Sequence, residues 1–142
     1  MMRRVVLDTN VVVAALRSRR GASAAVLLGA GTGEFEFCLS VPLFLEYESA
    51  LKRPDSGVDL PLLAIDDILD QLAAVGYQRE IFFLWRPVLP DPADDHVLEL
   101  AVAGRCDAVV TYNRRDFRGA ERFGIRIVSP PEFLVELQSE EP

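Results

Sequence analysis

Val5-Val6-Leu7-Asp8-Thr9-Asn10 decides the reading of this chain. Three aliphatic residues run straight onto an acid, with Arg3 and Arg4 in front. A short, unbroken apolar run reads as a central strand buried on both faces. A carboxylate at the carboxyl end of such a strand stands on the sheet edge where α/β folds bind ligands. Further acids fall where other strands end or helices begin: Glu46, the pair Asp94 and Asp95, and Asp116. Carboxylates crowded at such an edge repel each other and lose solvation unless a positive group joins them. A divalent cation is the economical partner.

Working outward, the same alternation recurs. Val5–Leu7, Phe35–Leu39, Ala108–Thr111 and Arg126–Val128 read as strands. Asn10–Arg17, Gly21–Gly29, Ser40 to about Arg53, Leu62–Val75, Asp91–Gly104 and Pro131–Leu137 read as helices. Ser40 is a cap with Pro42 in the first turn, where a missing N–H costs nothing. Gly29-Ala30-Gly31-Thr32-Gly33 reads as a turn, and Glu80–Trp85 as an edge strand or an irregular segment. Strands alternating with helices predict an α/β fold of three layers, a Rossmann-like parallel sheet with helices on both faces.

The 142 residues read as a single domain, 1–142, large enough for a real core. Cys38 and Cys106 lie in apolar stretches and read as buried thiols of a reducing compartment. Met1-Met2-Arg3-Arg4 leads directly into the first strand, which leaves no signal peptide before Asp8. No apolar run reaches the roughly 18–20 residues of a membrane span. A soluble cytoplasmic protein is expected. Its formal charge of -7 argues against general coating of nucleic acid, but not against a nuclease whose acids hold metal and whose arginines hold phosphate.

Each acid has an ordinary reading as well. Asp8 or Asn10 can cap the following helix, and Glu46, Asp94 and Asp95 suit a helix start. Asp116, in Asn113-Arg114-Arg115-Asp116-Phe117, can be a loop acid. Together they are stronger than singly, because a parallel sheet brings adjacent strand ends about 5 Å apart. Oxygen donors without a cysteine or histidine cluster point to Mg²⁺ or Mn²⁺. His96, the only histidine, reads as a surface or helix-start residue. Arg17, Arg19 and Arg20, and Arg114 and Arg115, follow the acid-bearing elements and can hold an RNA backbone.

The ordered set Val6-Leu7-Asp8-Thr9-Asn10-Val11, Ser40 to Glu46, Asp91 to Ala101 and Val109 to Phe117 resembles the PIN-domain family of Mg²⁺-dependent ribonucleases, in particular its VapC-like toxin branch. The resemblance implies a parallel sheet of about five strands, a metal- and water-dependent cut in single-stranded RNA, a homodimer and a cognate antitoxin. By position it makes Asp8, Glu46, Asp94 and Asp116 the catalytic and metal-holding acids. Asn10, Thr111 and Asn113 become supporting residues, with Asn113 standing where many relatives have an acid. Asp95 competes with Asp94, which is preferred on its distance to Ala101. An aspartyl-phosphate phosphatase would want a second Asp at position 10, where this chain has Asn10. A non-catalytic binding module on the same fold is the other alternative. Ile81-Phe82-Phe83-Leu84-Trp85, followed by Arg86, is the expected dimer contact.

Overall fold

The computed structural model describes residues 2–81 and 88–139. The strands are β1 (Arg4–Leu7), β2 (Glu36–Leu39), β3 (Tyr77–Gln78), β4 (Ala108–Val110) and β5 (Arg126–Val128). The helices are α1 (Thr9–Arg17), α2 (Ala22–Thr32), α3 (Val41–Leu51), α4 (Leu62–Val75), α5 (Asp95–Ala103) and α6 (Pro130–Ser139). The strands form one parallel sheet in the order β3-β2-β1-β4-β5. This is the expected α/β architecture, with helices flanking the sheet. α5 packs on β1, β2 and β4, while α1 lies against α2 and α3, and α2 against α6.

The strand order matters for function. The chain builds outward from β1 through β2 to β3, then returns to place β4 and β5 on the other side. The reversal lies between β1 and β4, and a crevice opens at the carboxyl ends of such a pair. Leu7 is in register with Val110, so Asp8 and Thr111 emerge side by side.

The core explains why these segments hold. Val5, Val6, Leu7, Val109 and Val110 are fully buried. Tyr47 of α3 is also fully buried, and its hydroxyl donates to the Leu7 carbonyl at 2.5 Å. A buried hydroxyl needs such a partner, and this one fixes α3 against the end of β1.

Several local expectations are corrected. Residues 29–33 are not a turn: α2 continues to Thr32, and Gly33 closes it in the left-handed conformation. Gly29 serves packing, since a Cβ there would meet Phe35 at 3.2 Å and Glu34 at 3.0 Å. α3 ends at Leu51, not near Arg53. The segment after Asp91 begins as a 3₁₀ turn, Pro92–Asp94, before α5. Tyr77–Gln78 forms a short strand at the sheet edge, while most of Glu80–Trp85, expected as an edge strand or an irregular segment, lies outside the described residues. Of the apolar run 81–86, only Ile81 lies within the described residues, and it packs on the core. No helix among the described residues is long and apolar enough to cross a membrane. Cys38 and Cys106 are buried free thiols, as expected, with their sulfurs 3.4 Å apart.

Candidate active site

Asp8 is the cap residue of α1. Its Oδ1 accepts from the Thr9 backbone N–H at 2.9 Å. Its Oδ2 accepts from the Thr111 hydroxyl at 2.8 Å and from the Asn10 amide at 3.3 Å. Asn10 also donates to Thr111 Oγ1 at 3.2 Å and accepts from the Tyr112 N–H at 3.2 Å. Thr111, 2% exposed, additionally accepts from the Asn113 N–H at 3.0 Å. These residues lock the ends of β1 and β4 and fix the direction of one carboxylate. The capping reading of Asp8 is therefore correct, and it coexists with a place in the crevice.

That crevice is a cavity of roughly 470 Å³ lined by Asp8, Glu46, Asp94 and Asp116 together with Asn10 and Asn113. The four acids come from the end of β1, from α3, from the 3₁₀ turn before α5 and from the 3₁₀ turn after β4. Their proximity registers in the ionisation of Asp8 and Asp94. Burial raises the Asp8 carboxyl, the Thr111 and Thr9 hydrogen bonds pull it down, and the charges of Glu46 and Asp116 raise it, leaving it above its ordinary value. Asp94 is pushed up to about 6, first by burial and then by Asp8, Asp116, Asp91 and Glu46. Such displaced acids in a cleft mark a functional-site candidate.

Glu46 behaves differently. Burial acts to raise it, but hydrogen bonds from His96 and Thr9, with the charges of His96 and Arg53, hold it below its usual value. The Thr9 hydroxyl reaches Oε2, and His96 Nε2 is 3.3 Å from Oε1. His96 thus starts a helix as expected, but it is no surface residue: its side chain is 12% exposed and turned onto Glu46. Its Nδ1 is buried with no hydrogen-bond partner among the described residues.

Asp95 does not share the cavity. Its carboxylate accepts from the Val88 N–H at 3.1 Å and the Leu89 N–H at 2.9 Å, fastening the incoming loop. Adjacent residues on a helix point about 100° apart, which separates the two aspartates. Among the arginines, Arg17 lines the acidic cavity, whereas Arg19 lies in an apolar groove between α1 and α2. Arg20 is exposed and does not line the cavity. Arg114 and Arg115 line a separate groove beside β5 and α6, where Arg114 pairs with Glu132. Arg53, which sequence reasoning passes over, lines the acidic cavity.

The profile of the PIN domain matches residues 4–115, most of the chain. The chain belongs to the PIN-domain family. The match includes Asp8, Glu46 and Asp94 and stops one residue before Asp116. No curated protein matches the sequence. PIN domains are generally nucleases, so this PIN domain has a nuclease-type, hydrolytic function. Its cavity suits a hard cation: the four acids offer oxygen donors only, and Asp8 and Asp94 are raised first by burial and then by the charges of neighbouring acids. Among the described residues no three acids or histidines are already drawn together around a metal position. The carboxylates are assembled as a pocket, not as a closed cage.

Proposed function

We propose that this PIN domain is an Mg²⁺- or Mn²⁺-dependent endoribonuclease that cuts single-stranded RNA with water. The observation that carries the reading is the convergence of Asp8, Glu46, Asp94 and Asp116 on one cavity at the strand-order reversal. Asp8 and Asp94 are the acids to hold the metal, with Glu46 and Asp116 completing the set. A bound divalent cation supplies an activated water and neutralises charge on the phosphoryl group.

The chain's own residues do the rest. Thr111 and Asn10 orient the Asp8 carboxylate, so little ordering remains to be done on binding. Thr9 and His96 hold Glu46 ionised while leaving each of its oxygens a further lone pair. Asp94, pushed up to about 6 without metal, would give up its proton to the cation it helps hold. Asn113 offers a neutral amide at the cavity wall, where it adds no repulsion.

Extending this reading, the protein is the cytoplasmic toxin of a toxin–antitoxin pair, restrained by a cognate antitoxin and acting as a homodimer. The support is the motif resemblance to the VapC-like branch and the apolar run 81–86. Light scattering of wild type and Phe83→Glu tests the dimer; a wild-type monomer at micromolar concentration rules it out.

The decisive experiment incubates the purified chain with labelled single-stranded RNA, with Mg²⁺, with Mn²⁺ and with chelator. Cleavage with either metal, lost on chelation and in Asp8→Asn, is expected. Asparagine keeps the cap acceptor and the shape but not the charge, so the fold should survive. An Asp8→Asn variant of full activity defeats the assignment. RNA binding without cleavage in any metal would instead mark a binding module.

A further inference from the structure

The acidic cavity has a basic wall. Arg17 ends α1 and Arg53 follows α3, and both line the cavity that holds the four acids. Arg17 is set in place: its Nε donates to the Ser56 carbonyl, and its stem lies over Gly57, where a Cβ would meet Nε at 3.1 Å. Gly57 has φ +79°, a conformation that glycine supplies at no steric cost. Ser56 is itself buried and accepts from the Val58 N–H at 3.1 Å. The loop is thus held, and it holds Arg17.

Neither guanidinium closes an ion pair among the described residues, and the side chain of Arg53 makes no hydrogen bond there. Asp55 lines the same wall without pairing to either arginine. An arginine that serves only to neutralise a neighbouring acid would be expected to meet it, as Arg126 meets Glu136 at 2.7 Å on this surface. These two instead keep N–H donors unspent inside a cavity that gathers four carboxylates. The guanidinium fork matches the paired oxygens of a phosphodiester.

We infer that Arg17 and Arg53 clamp a phosphodiester of the single-stranded substrate next to the one that is cut, and so set the register of the strand across the acids. The inference rests on the nuclease reading above. The acids repel an incoming polyanion, and the arginine wall supplies the attraction that seats it.

The test uses the full chain and a short, 5′-labelled single-stranded RNA. Binding is followed by anisotropy in the Asp8→Asn background, across a salt series, without divalent cation. Arg53→Ala should weaken binding by about tenfold, the scale of a charge-assisted hydrogen bond. It should also flatten the salt slope by about 0.7 for each phosphate no longer neutralised. Arg53→Lys should keep the slope and recover part of the affinity. Arg17→Lys, which preserves charge but gives up the Nε bond to the Ser56 carbonyl, should lose affinity through the missing fork, with a denaturant melt to show that the fold survives. Arg105→Gln, an exposed site before β4 at the opposite sheet edge, is the charge control. In the cleaving enzyme the Arg53→Ala loss should fall on KM rather than kcat. Unchanged affinity and slope in Arg53→Ala, or an equal loss in Arg105→Gln, overturns the clamp while leaving nuclease activity standing. A wild type that neither binds nor cuts RNA overturns the nuclease reading, and the clamp with it.

Discussion

The hydroxyl of Thr111 donates to Asp8 Oδ2 at 2.8 Å, across the ends of two strands paired in register. The same oxygen of Thr111 accepts from the Asn113 N–H. Thr111→Val keeps the shape and removes both of these bonds, together with the one that the Asn10 amide donates to the same oxygen. The Asn113 N–H is then left without its acceptor, and a stability loss of about 1–3 kcal/mol is expected. The Asp8 carboxyl should titrate higher still, since one of the bonds that restrain it is gone. Denaturant melts and carboxyl-carbon NMR titration check the two halves separately.

Asp94 makes stability depend on pH. Its folded value of about 6 exceeds the ordinary 3.8, so the folded state binds the proton more tightly than the unfolded chain. The stability this contributes is complete below about pH 3.8 and fades as the pH rises through 6. Asp94→Asn removes the loss. In chelator, the melting temperature of the variant should therefore gain on wild type as the pH is raised across that window. A constant difference at all pH values would contradict the crowding of these acids.

Asp95 should prove structural. Asp95→Ala strips the acceptor from the Val88 and Leu89 N–H groups and should cost about 1–3 kcal/mol. Calorimetric Mn²⁺ affinity should change far less than in Asp94→Ala. The reverse ranking of the two variants would exchange their roles.

Gly104 should tolerate nothing larger. A Cβ there would stand 2.4 Å from Cys38 Sγ and 3.2 Å from the Leu100 carbonyl. Gly104→Ala should destabilise by about 1–3 kcal/mol through overpacking. Adding Cys38→Ala removes the sulfur and should recover part of that loss, a coupling that a double-mutant cycle measures.

Much of the architecture is legible because it is written in burial. Val5–Leu7 and Val109–Val110 announce central strands, and Ser40 with Pro42 announces a helix start. Leu62–Val75 is readable to the residue from its helical period. The misses share a cause: they turn on how distant segments meet. Gly29 looks like a turn residue in the sequence, but Phe35 fills the space its missing side chain leaves. Tyr77–Gln78 is too short to show any alternation. Only the spacing to Ala101 favours Asp94 over Asp95 in the sequence, whereas in the fold the Val88–Leu89 backbone claims Asp95. Arg53 looks like a solvated helix-end charge, and His96 like a bystander, because nothing local links residue 46 to residue 96.

Asp8 answers to two masters, with Oδ1 on the helix and Oδ2 in the crevice. Inheritance is thereby biased. A descendant released from its chemistry would still be selected to keep a capping acceptor at that position, and aspartate or asparagine would both satisfy it. Survival of Asp8 in a lineage is therefore weak testimony that the lineage still cuts anything. Asp94 accepts no such capping bond at the start of α5, so drift should reach it first, and its loss is the more faithful record of an abandoned activity.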